Sequence, residues 1–88
     1  MGVASSSSGF SGFDGILGIG PVDLTEGTVS GVSSVPTVTD NLLSQGTISE
    51  EVIGVYFAPT TSEETTNGEL TFGGIDSVRD RFFFLNIL

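Results

Sequence analysis

The sequence lacks the side chains that most enzymes use for acid–base and metal chemistry. Its 88 residues include no cysteine and no histidine. Without cysteine there is no disulfide, no thiolate nucleophile and no thiolate metal ligand. Without histidine the commonest general base and the commonest metal ligand are also missing. A Ser-His triad is therefore excluded, and carboxylates remain as the candidate groups for acid–base catalysis.

Positive charge is almost absent as well. The chain has eleven acidic residues against two basic ones, Arg79 and Arg81, so residues 1–77 contain no Lys or Arg. Binding to nucleic acid or to an anionic membrane surface is excluded as a function, because both require clustered basic side chains. The 38% hydrophobic content argues against disorder. The length allows one modest domain at most, and the first residues lack the basic and apolar regions of a signal peptide.

The middle of the chain predicts one short helix. The segment 35–46, "VPTVTDNLLSQG", has Pro36 at a position suited to a first turn. Thr37 or Ser34 is the candidate N-cap, and Gly46 suits the left-handed position that ends many helices. Residues 22–34, rich in Thr, Ser, Gly and Val, are predicted to form a loop with short extended pieces.

Two strands follow the predicted helix. The β-branched and aromatic segment 52–57 is apolar on both faces, which indicates that part of it is buried on both sides. Segment 69–73 alternates, which predicts that Leu70 and Phe72 point inward while Glu69 and Thr71 point outward. A turn-rich loop separates the two segments, so we predict an antiparallel hairpin.

An acidic residue in apolar, glycine-rich surroundings opens three possibilities for "FDGILGIG", residues 13–20. The three possible roles of Asp14 are catalysis, binding of a phosphate or metal, and stabilisation of a turn. The glycines at 15, 18 and 20 do not follow the G-x-G-x-x-G order of dinucleotide sites. No acidic cluster suits calcium, and no facing pair of carboxylates stands out. These observations predict no metal and no cofactor, and they favour the turn role for Asp14.

Four segments together resemble a known family. "FDGILGIGP", "VPTVTDNLLSQGTIS", "EVIGVYFAP" and "NGELTFGGID" occur in the order and at the spacing of pepsin-like aspartic proteases, especially the secreted fungal members. The resemblance runs from about residue 2 to residue 77. It implies a mainly β fold with one short helix, which corresponds to part of the N-terminal lobe of a bilobal protease. Residues 1–77 would form the back half of that lobe.

The resemblance also implies roles for particular residues. Ile16, Leu17 and Gly18 match an apolar-apolar-Gly element that packs beside a catalytic loop in a psi-shaped arrangement. Gly18 would let that loop approach closely, because it has no Cβ. Phe13 and Ile16 match positions that wall the non-prime substrate pockets. Asp14 matches an acid next to that wall and not a catalytic acid.

The implied activity is hydrolysis of peptide bonds in a polypeptide substrate, in an acidic secreted or vacuolar setting. In the family two aspartates share a proton and activate water. Both lie in Asp-Thr/Ser-Gly motifs, and the sequence contains neither motif. We therefore expect about a quarter of a protease that is inactive alone. It needs the missing remainder of the lobe to fold, because without it the strand edges and apolar faces stay open. The alternatives are a truncated binding or inhibitor module and an unrelated small β-protein.

The resemblance ends near residue 77. Residues 78–88, "VRDRFFFLNIL", carry both basic residues and end in an apolar run, whereas the family continues with small and polar residues. We hypothesise that this non-family tail is translated from an unspliced intron, because a donor site beginning GT encodes valine, as at Val78. As a free tail the segment is a predicted aggregation hazard.

Overall fold

The protein is mainly β, with one short helix. The computed structural model describes residues 2–75 and the backbone of residues 84–86. The elements in chain order are a 3₁₀ turn at Val22–Thr25, helix α1 at Val38–Ser44, and strands β1 at Val52–Phe57, β2 at Gly68–Phe72 and β3 at Phe84–Asn86. Within the described residues no helix is long and apolar enough to cross a membrane.

The strands form one antiparallel sheet in the order β2-β1-β3. The predicted hairpin is confirmed, with Ile53 opposite Phe72 and Phe57 opposite Gly68. Strand β2 begins at Gly68, one residue earlier than predicted. A Cβ at Gly68 would lie 2.8 Å from the backbone oxygen of Tyr56, so the start of β2 requires glycine.

Helix α1 begins at a capping box formed by Thr37, one of the two candidate N-caps, and Asp40. The side-chain oxygen of Thr37 accepts a hydrogen bond from the Asp40 N–H at 3.3 Å, and Asp40 Oδ2 accepts one from the Thr37 N–H at 2.8 Å. Both bonds satisfy backbone donors that the helix itself leaves unpaired. Thr37 is therefore the N-cap and Pro36 precedes it, which makes the helix shorter than the predicted 35–46.

The helix ends in a Schellman motif, as the predicted glycine stop implies. Gly46 has φ of 75°. Its N–H donates to the Leu43 carbonyl at 3.0 Å, and the Thr47 N–H donates to the Leu42 carbonyl at 3.0 Å. These two bonds satisfy carbonyls of the last turn, and the left-handed backbone between them favours glycine.

The segment predicted as a loop at 22–34 starts with a 3₁₀ turn instead. Leu24 N–H donates to the Pro21 carbonyl and Glu26 N–H to the Asp23 carbonyl, each at 3.1 Å. The Thr25 side-chain oxygen then accepts from the Val35 N–H at 2.7 Å. This last bond ties the turn to the residues that lead into α1.

Burial is concentrated at the start of β1. Ile53 is 0% exposed and Val52 is 8% exposed. The prediction of two-sided burial therefore holds for this end of the strand, whereas Phe57 at its other end is 70% exposed. The inward prediction for Leu70 is wrong, because its side chain is 39% exposed while Glu69 is half-buried. Leu70 lies opposite Val55 in the middle of the hairpin, between the buried end at Ile53 and the exposed loop end at Phe57.

The predicted tail, residues 78–88, lies outside the described residues except for 84–86. Those three form β3, which pairs with β1 opposite residues 52–54. We expected the edges of the hairpin to stay open. That expectation is wrong for β1, because β3 occupies its second edge.

Candidate functional site

An apolar groove of about 640 Å³ contains the three residues of the predicted apolar-apolar-Gly element. Ile16, Leu17 and Gly18 all line it. The rest of its wall comes from the loop before α1 and from the helix itself: Gly2, Val29, Val32, Ser34, Val35, Pro36, Val38 and Asn41. The structure thus brings the predicted element together with the start of α1.

The apolar side chains of this groove are open to solvent. Ile16 is 66% exposed and Leu17 is 57% exposed. Large apolar side chains that are contiguous and exposed mark surfaces that contact something else. The groove therefore has the character of an interface, and not that of a closed core.

Phe13 does not share this groove with Ile16. Its ring packs edge-on against Phe10, with centroids 6.3 Å apart and planes at 89°. Edge-to-face packing is a favourable arrangement for two aromatic rings. Among the described residues, the two predicted substrate-wall positions thus lie in different surroundings, and both are exposed.

Gly18 and Asp14 are both in open surroundings. A Cβ added at Gly18 would meet no described atom within 4 Å. The described residues therefore place no backbone close to Gly18, and the predicted close approach of a catalytic loop stays a prediction. Asp14 is exposed in a bend that follows Gly12, whose φ is 83°.

One facing pair of carboxyl groups does exist, between α1 and β1. Asp40 and Glu51 hydrogen-bond through their side chains. The Glu51 side chain lowers the pKa of Asp40, and the Thr37 backbone N–H lowers it further. The same contact raises the pKa of Glu51, and burial and the charge of Asp40 raise it further. Such a pair holds one proton between two carboxyl groups.

This pair is bonded to structural partners, and one of its carboxyl groups is closed to solvent. Glu51 is 5% exposed, so a substrate has almost no access to its carboxyl. Asp40 Oδ2 is already bonded to the N–H and the hydroxyl of Thr37, at 2.8 and 2.9 Å. Thr39, also fully buried, lies 2.9 Å from the Thr37 hydroxyl through its own hydroxyl. The four side chains join the start of α1 to the start of β1.

Sequence reasoning missed this pair, because it found no facing carboxylates. The available signal was the T-x-x-D spacing of Thr37 and Asp40, which is typical of a helix start, with Glu51 directly before an apolar strand. Within the described part of the chain, no group of three or more acidic residues is placed to hold a metal ion.

Comparison with known proteins adds a family and a fold. The sequence profile of the family described as "Eukaryotic aspartyl protease" matches residues 2–81. The chain is 66% identical over 79 residues to polyporopepsin of Irpex lacteus, and the alignment covers 88% of this chain and 23% of that protein. It is 42% identical over 52 residues to rhizopuspepsin of Rhizopus chinensis, which covers 59% of this chain and 13% of the relative.

A solved structure shares the fold. The aspartic proteinase from Irpex lacteus superposes with a TM-score of 0.75 at 65% identity, covering 89% of this chain and 24% of that one. The predicted fold, a mainly β part of a pepsin-like lobe with one short helix, is therefore confirmed. The chain spans about a quarter of the length of these Irpex lacteus relatives.

Proposed function

Because the chain belongs to the eukaryotic aspartyl protease family, we propose that it forms part of the N-terminal lobe of an aspartic-type endopeptidase. The complete enzyme hydrolyses peptide bonds of polypeptide substrates at acidic pH, in a secreted or vacuolar setting. The observation that carries this proposal is the exposed groove around Ile16, Leu17 and Gly18. An apolar surface of this kind is suited to packing against the rest of a lobe.

The residues of the chain have supporting roles in this proposal. Ile16, Leu17 and Gly18 lie beside the catalytic loop, and Phe13 and Ile16 wall the non-prime substrate pockets. The two catalytic aspartates come from the remainder of the protease, since no Asp-Thr-Gly or Asp-Ser-Gly occurs in the 88 residues. Two carboxyl groups held close together share one proton, because both cannot be ionised at once, and the ionised member activates the attacking water.

The chain on its own is accordingly inactive in this proposal. Carboxyl groups are its only strong acid–base candidates at acidic pH, because it has no histidine and no cysteine. Of the pair that does meet, Asp40 is bonded to Thr37 and Glu51 is buried away from substrate. This pair is therefore unsuited to peptide hydrolysis.

A chimera tests the proposed role. Residues 2–77 replace the matching segment of Irpex lacteus polyporopepsin, and cleavage of denatured haemoglobin is followed at acidic pH with and without pepstatin. We expect pepstatin-sensitive cleavage by the chimera and none by the 88-residue chain. Leu17→Asp should abolish cleavage, because it puts a charge into the apolar groove. Val3→Asp, at a fully exposed position, is the matched control and should leave cleavage unchanged.

Two results would contradict the proposal. One is a chimera that folds by circular dichroism but does not cleave. The other is pepstatin-sensitive cleavage by the 88-residue chain alone, which would require catalytic groups among its own residues.

A second candidate function is a non-catalytic binding or inhibitor module. The pairing of β3 with β1 favours it, because this third strand comes from the chain itself. Such a module has to fold alone, and three strands form a more stable unit than a two-stranded hairpin. Inhibition of a purified target protease or glycosidase by the folded 88-residue chain would support this function over the first.

A further inference from the structure

Strand β1 pairs with β2 along one edge. Its other edge pairs with a segment that lies outside the family match. Phe84–Asn86 pairs antiparallel with β1, placing Asn86 opposite Val52 and Phe84 opposite Gly54. The family profile ends at residue 81. The third strand of the sheet therefore consists of residues that the family comparison does not account for.

The backbone pattern identifies the central contact of this pairing. The Val52 carbonyl accepts a hydrogen bond from the Gly73 N–H at 2.9 Å, so the backbone groups of Val52 face β2. Backbone groups alternate between the two edges along a strand. Those of Ile53 therefore face β3, where Leu85 is the residue in register. Ile53 also has the most deeply buried apolar side chain among the described residues.

We propose that residues 84–86 are a self-complementing strand that closes the edge of β1 and prevents a second copy of this chain from pairing there. An unpaired strand edge is a template for another strand. The segment around 84–86, with three phenylalanines and a leucine in succession at 82–85, has high β propensity and pairs readily with any open edge. Within one chain it protects β1. Released, it pairs with β1 of another copy in a strand-exchanged assembly.

This inference goes beyond the proposed protease function and stands on different observations. It uses the sheet register and the limits of the family match, and it requires no catalytic group. None of its tests measures proteolysis, so its failure and the failure of the proposed function are distinguishable.

An engineered disulfide tests the register. The sequence has no cysteine, so the pair Val52→Cys and Asn86→Cys has no competing thiol. Residues 52 and 86 flank the bonded pair of Ile53 and Leu85, which makes them a non-hydrogen-bonded pair, the kind in which the two Cα atoms lie closer together. We expect an intramolecular disulfide in the oxidised monomer. The control pair, Ile53→Cys with Asn86→Cys, is one residue out of register and should form at least ten-fold less.

Proline substitution tests the protective role in the full chain. Leu85→Pro removes the N–H that faces Ile53, whereas Asn86→Pro removes one that faces away from β1, and proline is tolerated there. We expect Leu85→Pro to raise the exchange rate of the Ile53 amide at least ten-fold and to shift the chain from monomer to larger assemblies by light scattering. Asn86→Pro and Leu85→Ala should remain monomeric.

Particular results of these experiments would contradict the proposal. It is overturned if both cysteine pairs cross-link equally, or if the in-register pair gives only intermolecular products. It is also overturned if Leu85→Pro and Asn86→Pro have the same exchange at Ile53 and the same mass. Should Leu85→Pro fail to fold, the Val52→Cys/Asn86→Cys variant decides. In urea at a concentration that releases the strand, the reduced form has to assemble and the oxidised form has to remain monomeric; equal masses would overturn the proposal.

Discussion

The buried carboxyl group of Glu51 hydrogen-bonds the carboxyl group of Asp40, across the junction of α1 and β1. Asp40 also belongs to the capping box of α1, so this contact connects the start of the helix to the start of the strand with the deepest burial. Among the described residues, Asp40 is the ionisable side chain bonded to Glu51. The exposed Glu50 is its neighbour in the chain. The stability of this junction therefore depends on protonation.

We expect the free energy of unfolding to fall as the pH rises through the raised pKa of Glu51. The folded chain holds the Glu51 proton more tightly than the unfolded chain, so stability is lost when that proton leaves. The contribution of Asp40 to stability depends on pH in the opposite direction. Its lowered pKa contributes stability that is present above its ordinary pKa and is lost as the pH falls through the lowered value. The pair is most stabilising between these limits, where it holds one proton.

Glu51→Gln checks this expectation, because glutamine keeps a hydrogen-bond donor next to Asp40 without the charge. Urea unfolding from about pH 4 to pH 7 should show a weaker decline of stability with pH than in the unsubstituted chain, because the ordinary pKa of glutamate lies near the start of this range. Glu50→Gln removes one charge at an adjacent exposed position and controls for the overall repulsion among acids. Equal slopes for the two variants would show that the pair does not govern the pH dependence.

Thr37→Ala should destabilise the chain by about 1 kcal/mol, the usual cost of losing an N-cap side chain. The substitution removes the acceptor for the Asp40 N–H and the hydroxyl that contacts Asp40 Oδ2 and Thr39. Denaturant unfolding monitored by circular dichroism measures the loss. Thr47→Ala, at an exposed position beyond the helix, is the control. The capping role is wrong if both variants unfold at the same urea concentration.

Gly73→Ala should destabilise the chain by about 1–3 kcal/mol, for two reasons that act together. Gly73 has φ of 83°, a region that alanine adopts at a cost. In addition, its Cβ would lie 2.6 Å from Ile48 Cγ2. The neighbouring Gly74→Ala is a stringent control, because its Cβ would meet nothing within 4 Å and its φ is not positive. Equal thermal unfolding midpoints for the Gly73→Ala and Gly74→Ala variants would show that residue 73 has no special requirement for glycine.

Gly18→Ala should affect the 88-residue chain and the complete protease differently. Within the 88-residue chain it should change stability by less than about 0.5 kcal/mol, because the added Cβ has open space. In the chimera with polyporopepsin we expect a drop in kcat/KM of at least about ten-fold, since displacing a catalytic loop by a fraction of an ångström misaligns the reacting groups. Gly15→Ala, also in open space, is the control. An unchanged kcat/KM would exclude the close approach at Gly18.

Local features of the fold were predictable from local chemistry. The strand at 52–57 follows from its β-branched and aromatic residues, and the helix end follows from Gly46, the residue best suited to a left-handed backbone. The helix start was predicted less well, because Thr37 and Ser34 were both candidate N-caps and Pro36 was placed in the first turn. The capping box with Asp40 settled it in favour of Thr37 as the cap.

Sequence periodicity did not predict the exposure of Leu70 or the second pairing of β1. Alternation shows that the side chains of Leu70 and Glu69 point to opposite faces, but whether a face is covered depends on what packs against it. Likewise, the apolar composition near residue 85 predicts a tendency to pair, and the register opposite Ile53 is a property of the folded sheet. The family match stops short of this segment, so it was uninformative here.

The amino-acid sequence by itself determined the family, the mainly β fold with one helix, and the absence of catalytic motifs, because these are carried by short segments and by composition. Tertiary structure alone decided that Asp40 meets Glu51, that Ile16 and Leu17 line an open groove, and that residues 84–86 close the edge of β1. The physical reason is distance along the chain. Propensity and turn chemistry act over a few residues, whereas proton sharing, burial and strand pairing depend on residues that only the fold brings together.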